Sequence, residues 1–169
     1  GLTEATAQMG CVNARPALGG EAVECLGGNG YIEEAPLARL YREAPLNGIW
    51  EGSANVICLD ALRAIARSGD SLQVLVDEIA TAPDARTARV TASAAKLIAD
   101  AGGAERNARI IVEMLATAMQ ASLMKRHSDP GAAEAFCASR LDGGSGRAFG
   151  NLPGDCDAHA LVERAALKS

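Results

Sequence analysis

Apolar side chains recur every three to four positions along most of the chain, and no segment alternates apolar and polar residues for long. This spacing is typical of amphipathic helices and argues against a sheet. Proline and glycine interrupt the pattern and set the ends of the helices. The predicted helices are 4–13, 18–26, 36–43, 53–67, a segment around 72–79, 84–100, 104–127, 130–142 and 157–168. We therefore expect an all-α chain folded as a helical bundle.

Local signals at the helix ends refine this prediction. Arg15-Pro16 is expected to break the first helix, and Ser53 is a favoured N-cap for the longer helix that follows. Residues 45–48 are predicted to form a turn, and the glycine-rich stretch 143–155 a loop. Within two helices the spacing predicts shared faces, which consist of Val56, Leu59, Leu62 and Ala66 in one and of Ile111, Leu115 and Ala118 in the other.

Ser68-Gly69-Asp70 predicts a boundary, with residues 1–69 as one part and residues 70–169 as an appended helical bundle. The chain starts at Gly1-Leu2-Thr3, which we interpret as the continuation of a longer polypeptide.

Composition narrows the classes of partner. The 169 residues are 49% hydrophobic and 3% aromatic, with a formal net charge of -5, which argues mildly against nucleic acid or an anionic membrane as the main partner. No apolar run reaches the length of a membrane span, so we expect a cytoplasmic protein. Five cysteines at wide spacing and two isolated histidines favour reduced thiols over disulfides and predict no metal site.

One carboxylate, Glu51, stands two residues before the predicted N-cap Ser53 and directly after Ile49 and Trp50. A helix start favours an anion, while an apolar wall disfavours the ionised form and raises a carboxyl pKa toward the range of a general base. The simpler interpretation is that Glu51 only caps and solvates the helix, and composition alone favours it.

A glycine-rich turn precedes this carboxylate by about twenty residues. Gly27, Gly28 and Gly30 are placed where backbone N–H groups can contact a phosphate, although helix C-caps share the same sequence pattern. Arg39 and Arg42 are either phosphate ligands or ion-pair partners of nearby glutamates. The residues alone are therefore compatible with a phosphate site close to a base, and equally with a helix C-cap and surface ion pairs.

The ordered set of motifs over Glu24–Arg63 resembles a known family. It reads Glu-Cys-Leu-Gly-Gly-Asn-Gly-Tyr, then Leu-Tyr-Arg-Glu, then Ile-Trp-Glu-Gly-Ser-Ala-Asn. This segment resembles the C-terminal helical region of flavin-dependent acyl-CoA dehydrogenases, most of all their alkylation-response (AidB-like) branch. Residues 70–169 look similar, more loosely, to the helical extension of that branch.

The resemblance implies roles for individual residues. Glu51 matches the catalytic base, which removes the α-proton of an acyl-CoA thioester while the β-hydride passes to FAD. Trp50 and Gly52 match positions beside the substrate. The positions that match cofactor contacts are Glu24, Gly27, Gly28, Ser53 and Asn55, of which the first three reach the cofactor of a neighbouring subunit in the family.

The same resemblance implies a limit. The family's flavin site also needs a preceding helical domain and a β-barrel domain, which these 169 residues do not include, so we expect this chain alone to be inactive and to bind flavin weakly or not at all. Glu24 also stands where glutamine is common in the family, and so places a carboxylate near a diphosphate.

Two other functions stay open from the sequence. The alkylation-response branch suggests DNA binding, although residues 70–169 carry eleven Lys or Arg against thirteen Asp or Glu; Arg86, Arg89 and Lys96 are the candidate contacts. Alternatively, helices such as 72–79 and 104–124 form an oligomer interface, because family members assemble as dimers or tetramers.

Overall fold

The computed structural model of the chain describes residues 2–12, 14–50, 52–100, 102–142 and 149–166. All regular structure in these ranges is helical, which confirms the all-α prediction. The helices are α1 (Leu2–Val12), α2 (Arg15–Leu26), α3 (Gly28–Tyr31), α4 (Pro36–Glu43), a 3₁₀ helix (Ala44–Gly48), α5 (Ala54–Arg67), α6 (Ser71–Ala80), α7 (Ala85–Ala99), α8 (Ala108–His127), α9 (Pro130–Leu141) and α10 (Ala158–Ala165). No helix in the described ranges combines the length and apolar character that crossing a membrane requires.

Helix α8 is the centre of the molecule, because α1, α5, α6, α7 and α9 all pack against it. Its predicted face is confirmed, since Ile111, Leu115 and Ala118 are fully buried. Together with Val112 these side chains form the middle of the main core, which α1, α5, α6 and α7 complete. A 20-residue helix that is covered on several sides in this way is the frame on which the other helices are positioned.

The main core crosses the predicted boundary at residue 69. Leu2 and Cys58 on one side share a single buried cluster with Leu75 and Ile111 on the other. Both parts therefore contribute to one core. The division into residues 1–69 and an appended bundle of residues 70–169 stays a prediction.

Helices α2 to α4 and the 3₁₀ helix form a peripheral unit that packs mainly on itself. Gly30 and Ala38 are its two buried residues. Of the sixteen strongly exposed large apolar side chains in the described ranges, nine lie in this unit or in the two residues that follow it; they are Leu18, Leu26, Tyr31, Ile32, Leu40, Tyr41, Leu46, Ile49 and Trp50. The unit therefore presents an apolar surface that the rest of the described chain does not cover.

Some helix ends differ from the prediction. Pro16 was predicted to break the first helix, but it lies in the first turn of α2. Proline is tolerated there because the first N–H groups of a helix have no partner within the helix. The residues predicted as a turn at 45–48 form the 3₁₀ helix. Helix α8 begins at Ala108 and not at Ala104. The residues before it form turns, in which the N–H groups of Gly103 and Ala104 donate to the Asp100 carbonyl and that of Asn107 donates to the Gly103 carbonyl. Residues 13, 143–148 and 167–169, where further predicted ends fall, lie outside the described ranges.

The predicted face of α5 is partly wrong. Leu59 and Leu62 pack against the core, but Val56 and Ala66 are exposed. The buried positions are Cys58 and Ala61, one residue away from the predicted set. Because α1 and α8 approach α5 closely, small side chains occupy the contact and a search for large apolar residues misses them.

Gly30 is expected to tolerate no side chain. A Cβ built there would lie 2.8 Å from the Val23 carbonyl oxygen and 3.1 Å from the Leu26 Cβ, so alanine would push α3 away from α2. We expect Gly30→Ala to lower the free energy of unfolding by about 1–3 kcal/mol. Urea unfolding followed by the fluorescence of Trp50, the single tryptophan, reports on this unit directly.

Gly28→Ala is the matched control, because it adds the same methyl group to the same short helix where nothing lies within 4 Å. It should leave the transition unchanged. Equal transitions for both variants would show that α3 does not pack on α2 as described.

Candidate functional site

The chain on either side of position 51 is held by short-range hydrogen bonds. The N–H groups of Ile49 and Trp50 both donate to the Leu46 carbonyl, at 2.9 and 3.1 Å, and the Gly52 N–H donates to the Ile49 carbonyl at 3.1 Å. Gly52 has a φ of 125°, a region in which a side chain is strained. Glu51 itself lies outside the described residues, so its placement stays a prediction. Its two neighbours fix a sharp bend that leads directly into α5.

Helix α5 begins immediately after this bend. Ser53 occupies the N-cap with an extended backbone, as predicted, but its hydroxyl makes no capping hydrogen bond. Ser53 and Asn55 are both exposed. The first N–H groups of an α-helix have no partner within the helix, and their dipoles favour an anion. The start of α5 therefore offers uncommitted backbone and side-chain donors, which in the sequence follow the candidate base by two to four residues.

The glycine turn closes α2 and opens α3. Gly27 has a φ of 57° and donates its N–H to the Glu24 carbonyl at 3.0 Å. A Cβ built on Gly27 or Gly28 would meet nothing within 4 Å, and both residues are exposed. The turn is thus a helix C-cap whose outer surface is open to a second molecule or another part of a larger protein. The Glu24 side chain is exposed beside it.

The two arginines near the glycine turn have carboxylate partners. Arg42 makes a bidentate pair with Glu33, with its Nη1 2.5 Å and its Nη2 2.9 Å from the two carboxylate oxygens. This pair lowers the pKa of Glu33 and raises the pKa of Arg42. Arg39 lies 3.8 Å from Glu43. Of the two interpretations of these arginines, the ion pair is therefore the one that the structure contains.

The apolar wall predicted beside Glu51 points outward. Trp50 is 63% exposed and Ile49 is 66% exposed, and Leu46 at the start of the same bend is 57% exposed. Nothing in the described part of the chain covers them. Any surface that removes these three side chains from water must come from other polypeptide or from substrate.

A separate cleft of about 880 Å³ lies between α9 and the residues around α10. Five carboxylates line it, those of Asp129, Glu134, Asp142, Asp155 and Asp157, above an apolar floor that includes Ala135 and Leu161. None of the sequence-predicted site residues is among its lining. This cleft is therefore separate from the residues that carry the chemical motifs.

The cations proposed to bind DNA are largely committed to internal contacts. Arg86 pairs with Asp84 and Glu134, and Arg89 donates to the Leu141 carbonyl at 2.7 Å. The bonds to Glu134 and Leu141 join α7 to α9. Two of the three predicted DNA contacts thus have a structural role, and no observation on the described surface favours nucleic acid.

The match to known proteins falls on the first part of the chain. Residues 4–66 match the family model described as acyl-CoA dehydrogenase, C-terminal domain. Over this segment the chain is similar to acyl-CoA dehydrogenases. The matched range contains every residue predicted for the site, and it ends at Ala66 near the end of α5. We refer to α1–α5 as the dehydrogenase segment.

Individual relatives are similar over stretches of 46 to 55 residues. The putative acyl-CoA dehydrogenase AidB of Escherichia coli (strain K12) is 54% identical over 55 residues, which are 32% of this chain and 10% of the relative. Acyl-CoA dehydrogenase family member 11 of Caenorhabditis elegans is 48% identical over 46 residues, 27% of this chain and 8% of the relative. The mitochondrial short-chain specific acyl-CoA dehydrogenase of Rattus norvegicus is 36% identical over 52 residues, 31% of this chain and 13% of the relative. The chain thus spans only about a tenth of the length of these relatives.

Sequence reasoning missed the apolar surface of the dehydrogenase segment. It treated Ile49 and Trp50 as an enclosing wall, whereas both are exposed together with Leu46. The spacing Leu46, Ile49, Trp50 predicts that the three side chains share one face of a helical turn. Spacing does not report whether this chain covers that face, and the exposure of all three shows that the described residues do not.

Proposed function

We propose that this chain is the C-terminal portion of an FAD-dependent acyl-CoA dehydrogenase, in which Glu51 is the base for α,β-dehydrogenation of an acyl-CoA thioester. The observation that supports this most directly is the bend at Gly52. This bend lies directly before the open end of α5, within the segment that matches the family model.

The proposed chemistry divides into two bond changes. Glu51 accepts the α-proton of the thioester, so the electron pair of that C–H bond forms the new Cα=Cβ double bond. The backbone N–H of Glu51 donates a hydrogen bond to the thioester carbonyl oxygen, which stabilises the negative charge that develops there. FAD, when bound, supplies the acceptor for the hydride that leaves the β-carbon.

The residues of this chain fit a diphosphate-bearing cofactor. Ser53 has a hydroxyl without a capping bond, Asn55 is exposed, and both lie at the positive end of a 14-residue helix with no acidic residue in its first turn. At the glycine turn there is room for a close approach, because the positions where Gly27 and Gly28 would carry Cβ atoms are empty. Ser53 and Asn55 would hold one cofactor, and the glycine turn would contact the cofactor of a second subunit.

The apolar surface of the dehydrogenase segment has a place in the same proposal. A surface formed by side chains such as Leu46, Ile49 and Trp50 is unlike a surface that evolved for permanent contact with water. We propose that other domains and a further subunit cover it in a dimeric or tetrameric dehydrogenase. Helices α6 and α8 bury their apolar faces in the core of this chain. They had been one candidate for the assembly interface from the sequence.

Purified by itself, the 169-residue chain is expected to be colourless and to show no dehydrogenase turnover. It supplies one border of the proposed flavin site and leaves the apolar surface uncovered. Absorbance at 450 nm, with and without added FAD, measures bound flavin. The positive control is a polypeptide that joins this chain to the flavin-binding domains of an AidB-like protein, which should be yellow and oxidise an acyl-CoA with an electron-accepting dye. Stoichiometric flavin in the isolated chain would contradict the proposed division of the site.

A further inference from the structure

Helix α9 is attached to the rest of the molecule more lightly than its neighbours are. It packs on α8 and α7, whereas α8 also contacts α1, α5 and α6. Its apolar contacts form a second buried cluster, in which Cys137 and Leu141 of α9 meet Ala121 of α8. The partly buried Val90 of α7 is the side chain that this cluster shares with the main core. Helix α9 thus closes over a small cluster at the edge of the fold.

Two arginines of α7 hold α9 at two points. Arg86 binds Glu134 in a bidentate pair, with N–O distances of 2.6 and 2.7 Å. One turn later, Arg89 donates to the carbonyl of Leu141, the last residue of α9, and both arginines approach the Asp142 carboxylate at 3.5 Å. The helix is therefore fixed at its middle and at its C-terminal end by polar bonds to one neighbour.

These polar bonds differ in their exposure to water. Arg86 is only 16% exposed, but Glu134 is 62% and Asp142 is 46% exposed. Glu134 and Asp142 are therefore reached by solvent. Replacing their bonds to arginine with bonds to water costs little free energy. Arg86 would keep the nearly buried Asp84 as a partner when α9 leaves. The bonds from Arg86 and Arg89 to α9 can consequently break without leaving an unpaired charge inside the protein.

We propose that α9 is a separately opening element, which detaches from α7 and α8 and exposes Cys137 while the main core stays folded, and that Arg86 and Arg89 set how often it opens. Proteins open in cooperative units whose free energies lie well below that of global unfolding, and such units have small clusters and solvent-exposed bonds. Helix α9 has both properties. Cys58, in contrast, is buried in the main core and should become accessible only when the whole fold opens.

The two thiols provide the test, because both are fully buried and burial raises the pKa of both. The intact chain is treated with iodoacetamide under native conditions, and labelling is measured at each cysteine by peptide mass spectrometry. We expect Cys137 to be labelled about tenfold faster than Cys58 or more. Equal rates at the two sites would mean that both wait for global unfolding, and would overturn the proposal.

The double variant Glu134→Gln/Asp142→Asn tests the role of the arginines. It removes the carboxylate partners on the α9 side and leaves Arg86 paired with Asp84. Labelling of Cys137 should rise about fivefold while that of Cys58 stays constant. An equal rise at both thiols, or no rise at Cys137, would overturn the proposal. Asp60→Asn, which removes an exposed pair with Arg63 on α5, is the matched control and should change neither rate.

Hydrogen exchange of the wild-type chain gives an answer that does not depend on any variant. Backbone amides of α9 should exchange faster than those in the middle of α8, near Ile111 and Leu115. Protection of α9 equal to that of α8 would contradict a separate opening.

Discussion

Glu51→Gln is expected to reduce the rate of α-proton exchange by about 10²–10⁴-fold in a polypeptide that joins this chain to flavin-binding domains. The amide has the size of the carboxylate but cannot accept the proton. Exchange of the α-hydrogen of an acyl-CoA with deuterium from solvent, measured by mass spectrometry, isolates this step from hydride transfer. Flavin content should stay at the wild-type level, because the variant leaves the cofactor contacts at Ser53 and Asn55 intact.

Glu24→Gln is the companion variant. It also neutralises one carboxylate of the dehydrogenase segment, at an exposed position beside the glycine turn. We expect it to leave α-proton exchange unchanged and to strengthen flavin binding, because it removes a negative charge near the proposed diphosphate. Undiminished exchange in Glu51→Gln would assign the base to another residue. A parallel loss of exchange and flavin would show that Glu51 supports the cofactor site and not the proton transfer.

The helices could be predicted from the sequence where apolar spacing and end signals agreed. Pro36–Glu43 and the start at Pro130 match the structure to the residue, because proline is favoured in the first turn of a helix. The same signal was interpreted as a break at Pro16, where α2 in fact begins. The face of α5 could not be predicted as well. Its contacts use Cys58 and Ala61, and small residues at a close helix crossing carry little signal in an apolar pattern.

The candidate site was predictable as a list of residues but not as an enclosed pocket. The motif order located the glycine turn and the start of α5, and the structure gives these the expected local forms, a C-cap at Gly27 and an N-cap at Ser53. Spacing along the chain does not report what covers Trp50, since that depends on residues far away in sequence or in another chain. Glu51 and the roles of its neighbours remain predictions that the variants above test.

The bond between Asp84 and Lys125 could not be predicted from helical spacing either, because the two residues lie 41 positions apart in the chain. The Asp84 carboxylate is only 7% exposed, and it accepts from the Arg86 side chain at 2.9 Å and from Lys125 at 2.7 Å. It also caps α7 by accepting from the Arg86 N–H at 2.8 Å. One side chain thus joins the start of α7 to the last turn of α8.

Asp84→Ala is therefore expected to lower the free energy of unfolding by about 3–4 kcal/mol. The variant removes the cap and leaves two cations, of which Arg86 is mostly buried, without this partner. Urea unfolding followed by circular dichroism measures the change. Asp60→Ala is the control, because its pair with Arg63 is exposed on both sides and should be worth less than about 1 kcal/mol. Equal losses in the two variants would show that burial adds nothing to the Asp84 interactions.

The effect of Asp84→Ala should also depend on pH in a defined direction. The hydrogen bonds from Arg86, with Lys125 contributing, hold the pKa of the Asp84 carboxyl well below its ordinary value of 3.8. Above about pH 5 the carboxylate is ionised in both the folded and the unfolded chain, so its full contribution to stability is present. Below pH 3.8 the unfolded chain takes up a proton that the folded chain does not, and the contribution declines. The difference in the free energy of unfolding between wild type and Asp84→Ala should accordingly be constant from pH 5 to 8 and shrink as the pH falls toward 2. A difference that grows on acidification would contradict the ion pairs that join α7 to α8.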